Sequence, residues 1–301
     1  MTPEAGVPDA WQLIAPIWIP TAGVLGAIIG SFLNVVAYRV PRGESVVWPG
    51  SHCPNCGQDI AAFDNVPVLA YLWLRGRCRS CRVSISARYP LVEFVTGLLF
   101  AGIAARYGLS AMTPVWMLFT AGLIAAALID FDHRIIPDEI SLGGLLLALV
   151  LVPGAHALSG GSFSAELARS AAGAVLGAGL LWTVGFVHAR VSVWLGREFG
   201  HWPGEGEALP RPGELDYWIW FPGLGFGDVK LLAMIGAVQG ATGVLATIFA
   251  ASLAGVALGL LYAAFTRTLN APFGFGPAIA GGALLVMLVP HQPLLEALGI
   301  F

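Results

Sequence analysis

The stretch "GLGFGDVKLLAMIGAVQG" (residues 223–240) decides the fold. It is apolar for most of its length, yet Asp228 and Lys230 stand near its start, behind Gly223, Gly225 and Gly227. Burying an ion in hydrocarbon costs about 3 kcal/mol on insertion scales and more by simulation. A carboxylate at the mouth of such a segment therefore asks for a function. A second acid stands in a similar place in "LIDFDHRIIPD" (128–138), where Asp130 closes another apolar run.

The rest of the chain explains the setting. Of 301 residues, 57% are hydrophobic and 11% charged, with a mean hydropathy of +0.78. Soluble domains carry about 25% charged residues, so the chain reads as an all-α polytopic membrane protein. Taking about 20 apolar residues per crossing, the sequence predicts about eight spans. They are 16–37, 90–105, 111–130, 139–157, 168–189, 227–240, 243–265 and 276–297. Basic residues set the orientation. Segment 39–89 holds seven arginines; with it cytoplasmic, 13 of the 15 basic residues fall inside, Arg267 among them, and only Arg106 and Arg169 outside. Both termini then face outward. "MTPEAGVPDA" (1–10) has no Lys or Arg, unlike the start of a cleaved signal peptide, so 16–37 reads as a retained helix. Two segments look soluble, 39–89 and 190–223. The latter, rich in Pro, Gly and acids, reads as a flexible cytoplasmic loop. The likeness of "GFGD" (225–228) to "GFGP" (274–277) is too short to support an internal repeat.

All four cysteines lie in the first soluble segment, as "CPNC" (Cys53, Cys56) and "CRSC" (Cys78, Cys81), with 21 residues between the pairs. Such turns bring two thiolates onto one metal, and two of them complete a tetrahedral structural Zn²⁺ site. The rival is a redox or disulfide role, which a cytoplasmic location disfavours. His52 is surplus to a complete site. The apolar stretch between the pairs is expected to pack on the membrane face or the helix ends.

Asp130 and Asp228 are expected at the same cytoplasmic depth, delivered from separate helices. Two carboxyls packed in a partly dry cleft cannot both ionise readily and would share a proton. One can then take a proton from water while the other donates to a peptide carbonyl or leaving nitrogen. Gly225 and Gly227 would let a substrate backbone approach. Each neighbour also has a structural reading. Asp138 suits an N-cap. Asp132 lies about 200° around the helix from Asp130. Arg134 stands at i+4 from Asp130 and can pair with it. Lys230 either tunes Asp228 or anchors its span at the interface.

These motifs closely resemble the type IV prepilin peptidases, bifunctional leader peptidase/N-methyltransferases of the membrane. The matching stretches are 30–45, both cysteine pairs, 64–81, "RYPLVEFVTG" (88–97), 128–141, 225–237 and 272–284, in the family's order. The resemblance implies an aspartate pair, Asp130 and Asp228, with Lys230, Arg134, Gly225 and Gly227 in support. It implies prepilin and pseudopilin substrates of type IV pili and type II secretion, cut at the cytoplasmic face of a bacterial inner membrane. The new amine is then methylated from S-adenosylmethionine. The organisation it implies is a first transmembrane helix (1–38), a cytoplasmic zinc-binding, methyltransferase-associated domain (39–89) and a transmembrane peptidase domain (90–301). Loop 190–223 is longer than expected for the family. No dinucleotide-type glycine motif follows a strand, so the cofactor site is assigned only to Glu93 and Arg88. Glu93 is expected to orient the substrate amine or to be a plain interfacial acid. The partners expected are the pilin substrates and the bilayer, with no nucleic acid. The competing classes are a peptidase without methylation, a proton-coupled transporter using the acids, and a scaffold whose zinc domain binds a partner.

Overall fold

The computed structural model describes residues 10–197, 202, 209–266 and 274–289. Among these the chain is helical, with nothing extended beyond isolated backbone pairings. It divides into two compact units, 1–125 and 126–301. Six described helices are long and apolar enough to cross a membrane, as a polytopic membrane protein requires.

In the first unit, α1 (Ala10–Arg39) packs against α3 (Arg88–Tyr107). Small residues on one face set the distance: a Cβ at Gly26 would stand 2.7 Å from the Phe100 Cβ, and one at Gly30 2.8 Å from the Glu93 Cα. Without much of a hydrophobic force in lipid, such close backbone approach is what holds helices together. α1 stops at Arg39, followed by Pro41 and by Gly43 at φ 67°. Arg39 is buried, and its guanidinium donates to the carbonyls of Ser45, Pro49 and Gly50. The following segment carries the cysteines and a short helix α2 (Leu69–Trp73). Phe63, Leu69, Leu72 and Trp73 lie exposed on it, an apolar face suited to the interface the sequence reading expected. The unit ends with the first part of α4 (Met112–His133).

The second unit takes the end of α4, then α5 (Asp138–Leu158), α6 (Phe163–Trp194), the short α7 (Asp216–Ile219), α8 (Phe226–Thr266) and α9 (Gly276–Leu288). α8 is the core helix, packed by α5, α6 and α9. Gly173 and Gly177 of α6 meet its backbone: a Cβ there would lie 2.1 Å from the Gly236 carbonyl and 2.3 Å from that of Leu232.

Gly240 breaks α8 at φ 73°, ψ −177°. Residues eight apart in an unbroken helix are about 12 Å apart along its axis. Yet a Cβ at Gly236 would lie 3.0 Å from Val244, and the Thr247 hydroxyl donates to Gln239 Oε1 at 3.1 Å. The chain therefore folds back at Gly240 into two helical arms, which answer to the expected spans 227–240 and 243–265. The last expected span, 276–297, appears as thirteen residues of α9, and 290–297 lie outside the described residues, as does Arg267. About eight spans were expected; six helices meet the criterion of length and apolarity among the described residues.

Loop 190–223 departs from its expected flexibility. Residues 198–201 and 203–208 lie outside the described residues, but 209–223 are folded back onto α6. Trp218 stacks on Phe186 and Trp182 with ring centres 5.4 and 6.4 Å apart. The Trp182 indole donates to the Trp218 carbonyl at 2.8 Å. Composition read as mobile because it averages over Pro, Gly and acids; the aromatic side chains decide otherwise.

Candidate active site and metal centre

Asp130 lies in the last turn of α4. That helix ends because Arg134 adopts the left-handed conformation at φ 57°, its N–H bonding the Asp130 carbonyl at 2.9 Å, and Pro137 bars continuation. The Asp130 side chain turns inward, 5% exposed, while Asp132 is exposed, as their angular separation required. Its Oδ2 accepts the N–H of Gly276 at 3.0 Å, at the start of α9. A Cβ at Gly274 would lie 2.0 Å from the same oxygen and one at Gly276 2.7 Å. The "GFGP" stretch is thus wrapped around the carboxylate, where no side chain fits. The sequence reading missed this; the repeated G-F-G was the available signal.

Asp228 occupies the first turn of α8, 7% exposed, its N–H on the Gly225 carbonyl at 3.1 Å. Its carboxylate and that of Asp130 are close enough for their charges to repel. Two buried acids from distant stretches of chain thus share one site inside the second unit. The glycines before Asp228 differ in purpose. A Cβ on Gly227 would stand 3.1 Å from Ile136, so packing demands glycine there, whereas Gly225 would meet Asp228 Oδ2 at an ordinary 3.5 Å. Gly225 itself places no side chain against the buried carboxylate.

Lys230 does not turn to Asp228. Its ammonium pairs with Asp138, the first residue of α5, tying two helix starts together. Asp138 is accordingly no N-cap; Pro137 holds that position without a side-chain bond. Arg134 is exposed, and its charge attracts Asp130 without a close ion pair among the described contacts. The approach to Gly225 is clamped to α6. Arg190 lies 3.8 Å over the Tyr217 ring and donates to its carbonyl, while Phe221 is buried edge-on to Phe186. The dense aromatics of "DYWIWFPGLGF" (216–226) were the sequence signal for this clamp.

The four cysteines of the first unit converge, every Sγ within 4.8 Å of the others. Four thiolates at ~2.3 Å from a central metal stand about 3.8 Å apart, and Cys53 and Cys81 lie at 3.8 Å. Two matching turns build the cluster. Gly57 (φ 69°) donates to the Cys53 carbonyl, and Arg82 (φ 60°) to that of Cys78. Amide donation from Val83, then from Asn55, brings the Cys81 thiol down to about 6, towards the thiolate that binds metal. Beside the cluster, Arg79 grips Asp64 through two 2.6 Å bonds, which hold the Asp64 carboxyl below its usual range.

Glu93 accepts the Val68 N–H at 2.6 Å and lines a cavity of about 1270 Å³ between α1, α3 and the cysteine segment. Arg88 opens α3, its N–H on the Ser86 hydroxyl, and is absent from the lining. The two residues paired by the sequence reading are therefore not joined in one pocket.

Residues 24–107 match the family described as Bacterial Peptidase A24 N-terminal domain, and residues 117–260 the Type IV leader peptidase family. Similar proteins include a Stutzerimonas stutzeri prepilin leader peptidase/N-methyltransferase, 35% identical over 87% of this chain and 88% of the relative. One of the same description from Neisseria gonorrhoeae is 34% identical over 89% of each. Another, from Myxococcus xanthus, is 36% identical over 82% of this chain and 63% of the relative. No solved structure gives a significant match.

Proposed function

This chain belongs to the type IV leader peptidase family, and from that premise we propose that it cuts the leader from prepilins and pseudopilins and methylates the amine so exposed. Asp130 and Asp228 carry the cleavage. One carboxylate draws a proton from a water held between the pair as the water's oxygen attacks the scissile carbonyl. The other donates its proton to the carbonyl oxygen, and the departing nitrogen then takes one. The Gly276 amide fixes Asp130 for this task, and the bare backbone at Gly225 gives an unwound peptide room beside Asp228. What supports the reading is that two buried carboxyls, delivered by α4 and α8, lie within electrostatic reach of each other.

Cys53, Cys56, Cys78 and Cys81 would hold a structural Zn²⁺, whose contribution is to lock the two cysteine turns together. S-adenosylmethionine would donate the methyl group, with Glu93 orienting the amine; Arg88 shapes the start of α3 beside it. The positive-inside pattern supports a cytoplasmic position for the cysteine segment and the acids in a bacterial inner membrane. Mass spectrometry of a candidate prepilin incubated with the purified protein and S-adenosylmethionine tests the whole reading. Loss of the leader with one added methyl group is expected. An uncut prepilin refutes cleavage, and a cut but unmethylated one refutes the second activity.

A further inference from the structure

We propose that the stretch around α2 is a lipid wedge. Its exposed apolar stripe sits among the acyl chains of the adjoining leaflet, and Arg75 and Arg77 hold phospholipid phosphates. The wedge rests on neither of the activities proposed above.

One bond sets the depth of α2. The Val68 N–H, at the entrance to the helix, donates to Glu93 at 2.6 Å. Glu93 lies about 7 Å along α3 from its start at Arg88. It abuts Gly30, about 13 Å short of the end of α1 at Arg39. Both helices are long and apolar enough to cross a membrane. Leu91 and Phe94, close to Glu93 in sequence, are exposed, and large apolar side chains exposed on a crossing helix face lipid. α2 therefore begins level with hydrocarbon rather than out in water. Interfacial helices sit about 5–10 Å into the boundary between headgroups and acyl chains, which is the depth that Glu93 gives α2.

The pattern of α2 agrees with that position. Ala70 is buried, and Tyr71 and Leu74 line the cavity on the side of α1 and α3. Leu69, Leu72 and Trp73 form a stripe at helical spacing and are exposed, as is Phe63 ahead of them. A helix facing water keeps its large apolar residues inside; here they stand outside, and the small Ala70 is within. Directly behind the stripe come Arg75 and Arg77, exposed and without a carboxylate partner among the described residues. Arg79, by contrast, is committed to Asp64. An arginine stem can lie along apolar surface while its guanidinium reaches the headgroups, where its planar fork matches phosphate. Leucine and tryptophan with unpaired cations at the rim complement one molecule, a phospholipid, with chains below and phosphate above. Because Cys78 follows Arg77 directly, the wedge also moors the cysteine cluster at the membrane surface.

The test uses the full-length protein in nanodiscs of phosphatidylethanolamine and phosphatidylglycerol, with photoreactive p-benzoylphenylalanine in place of Leu72. After irradiation, mass spectrometry should find phospholipid adducts at that position. Adducts to residues 126–301, the other compact unit, or to a second protein chain would show that protein covers the stripe and would overturn the wedge. Absence of any adduct would place the stripe in water and overturn it too. Trp73 gives an independent reading as 5-fluorotryptophan, its resonance assigned through Trp73→Phe. It should broaden with a nitroxide on the lipid chain and not with a soluble gadolinium chelate; the reverse contradicts insertion. In phosphatidylglycerol titrations followed by native mass spectrometry, Arg75→Gln combined with Arg77→Gln should weaken the first binding step at least about fivefold, from what a basic residue contributes at a membrane surface. Unchanged binding overturns the role of the arginines.

Discussion

The amide of Gly276 donates to Oδ2 of Asp130 at 3.0 Å, across 146 positions of sequence. Hydrogen bonds to charged groups contribute about 1.5–3 kcal/mol, and each 1.36 kcal/mol at a barrier is a factor of about ten in rate. Gly276→Ala and Gly274→Ala, which push a methyl into the Asp130 carboxylate, are therefore expected to lower kcat for leader cleavage about 10- to 100-fold. KM should move little. Steady-state kinetics on a prepilin peptide check this, and a pure KM effect would contradict it.

Asp130→Asn and Asp228→Asn should each reduce cleavage by at least about 100-fold. On the proposed mechanism the two act on one water, so the double variant should be no slower than the worse single one. Multiplicative losses in single-turnover assays would show that the residues work separately.

Chelation, or Cys81→Ser, is expected to release one equivalent of zinc and to open the two cysteine turns. Hydrogen exchange at the Cys53 and Cys78 amides, now bonded to Gln58 and Val83, should accelerate severalfold. Amides of α8, in the other compact unit, should keep their protection.

The pair of Lys230 and Asp138 predicts a stability effect rather than a catalytic one. Asp138 is 60% exposed, so a double-mutant cycle on Lys230→Met and Asp138→Asn should give a coupling of about 0.2–1 kcal/mol. Cleavage by either single variant should stay within about threefold of wild type. A loss with Lys230→Met comparable to that with Asp228→Asn would assign Lys230 to the chemistry instead.

Arg190→Ala and Trp218→Ala should loosen the clamp ahead of Gly225. Aromatic pairs contribute about 0.5–1.5 kcal/mol each, so proteolytic nicking within 209–223 should rise several-fold, with a parallel fall in cleavage activity. Nicking without any change in activity would separate the clamp from the site.

What the sequence disclosed was what is local. Cys-x2-Cys turns are built by bonds between near neighbours, so their spacing was enough to foresee the cluster. Asp130 and Asp228 stood out because each interrupts an apolar run. The fold-back at Gly240 was visible as a gap between two hydropathic segments. Contacts made across the fold were another matter. The wrapping of residues 274–276 around Asp130, the turning of Lys230 to Asp138 and the capture of three carbonyls by Arg39 each depend on which elements end up as neighbours. The same is true of loop 190–223, where a few stacked rings outweigh the Pro, Gly and acid content.

The single-residue reversal at Gly240 bears on how the protein is made. With no hydrophilic linker between the arms 226–239 and 241–266, nothing charged has to be dragged through the insertion machinery between them. The two arms can partition sideways into lipid as one preformed hairpin, with Asp228 and Lys230 left at the entrance. Gln239, the polar group at the tip, then finds its acceptor on the Ala283 carbonyl only once α9 has been synthesised. Nascent chains stopped before α9 should therefore hold this hairpin with the Gln239 carboxamide N–H still lacking its Ala283 acceptor, while its oxygen already takes the Thr247 hydroxyl.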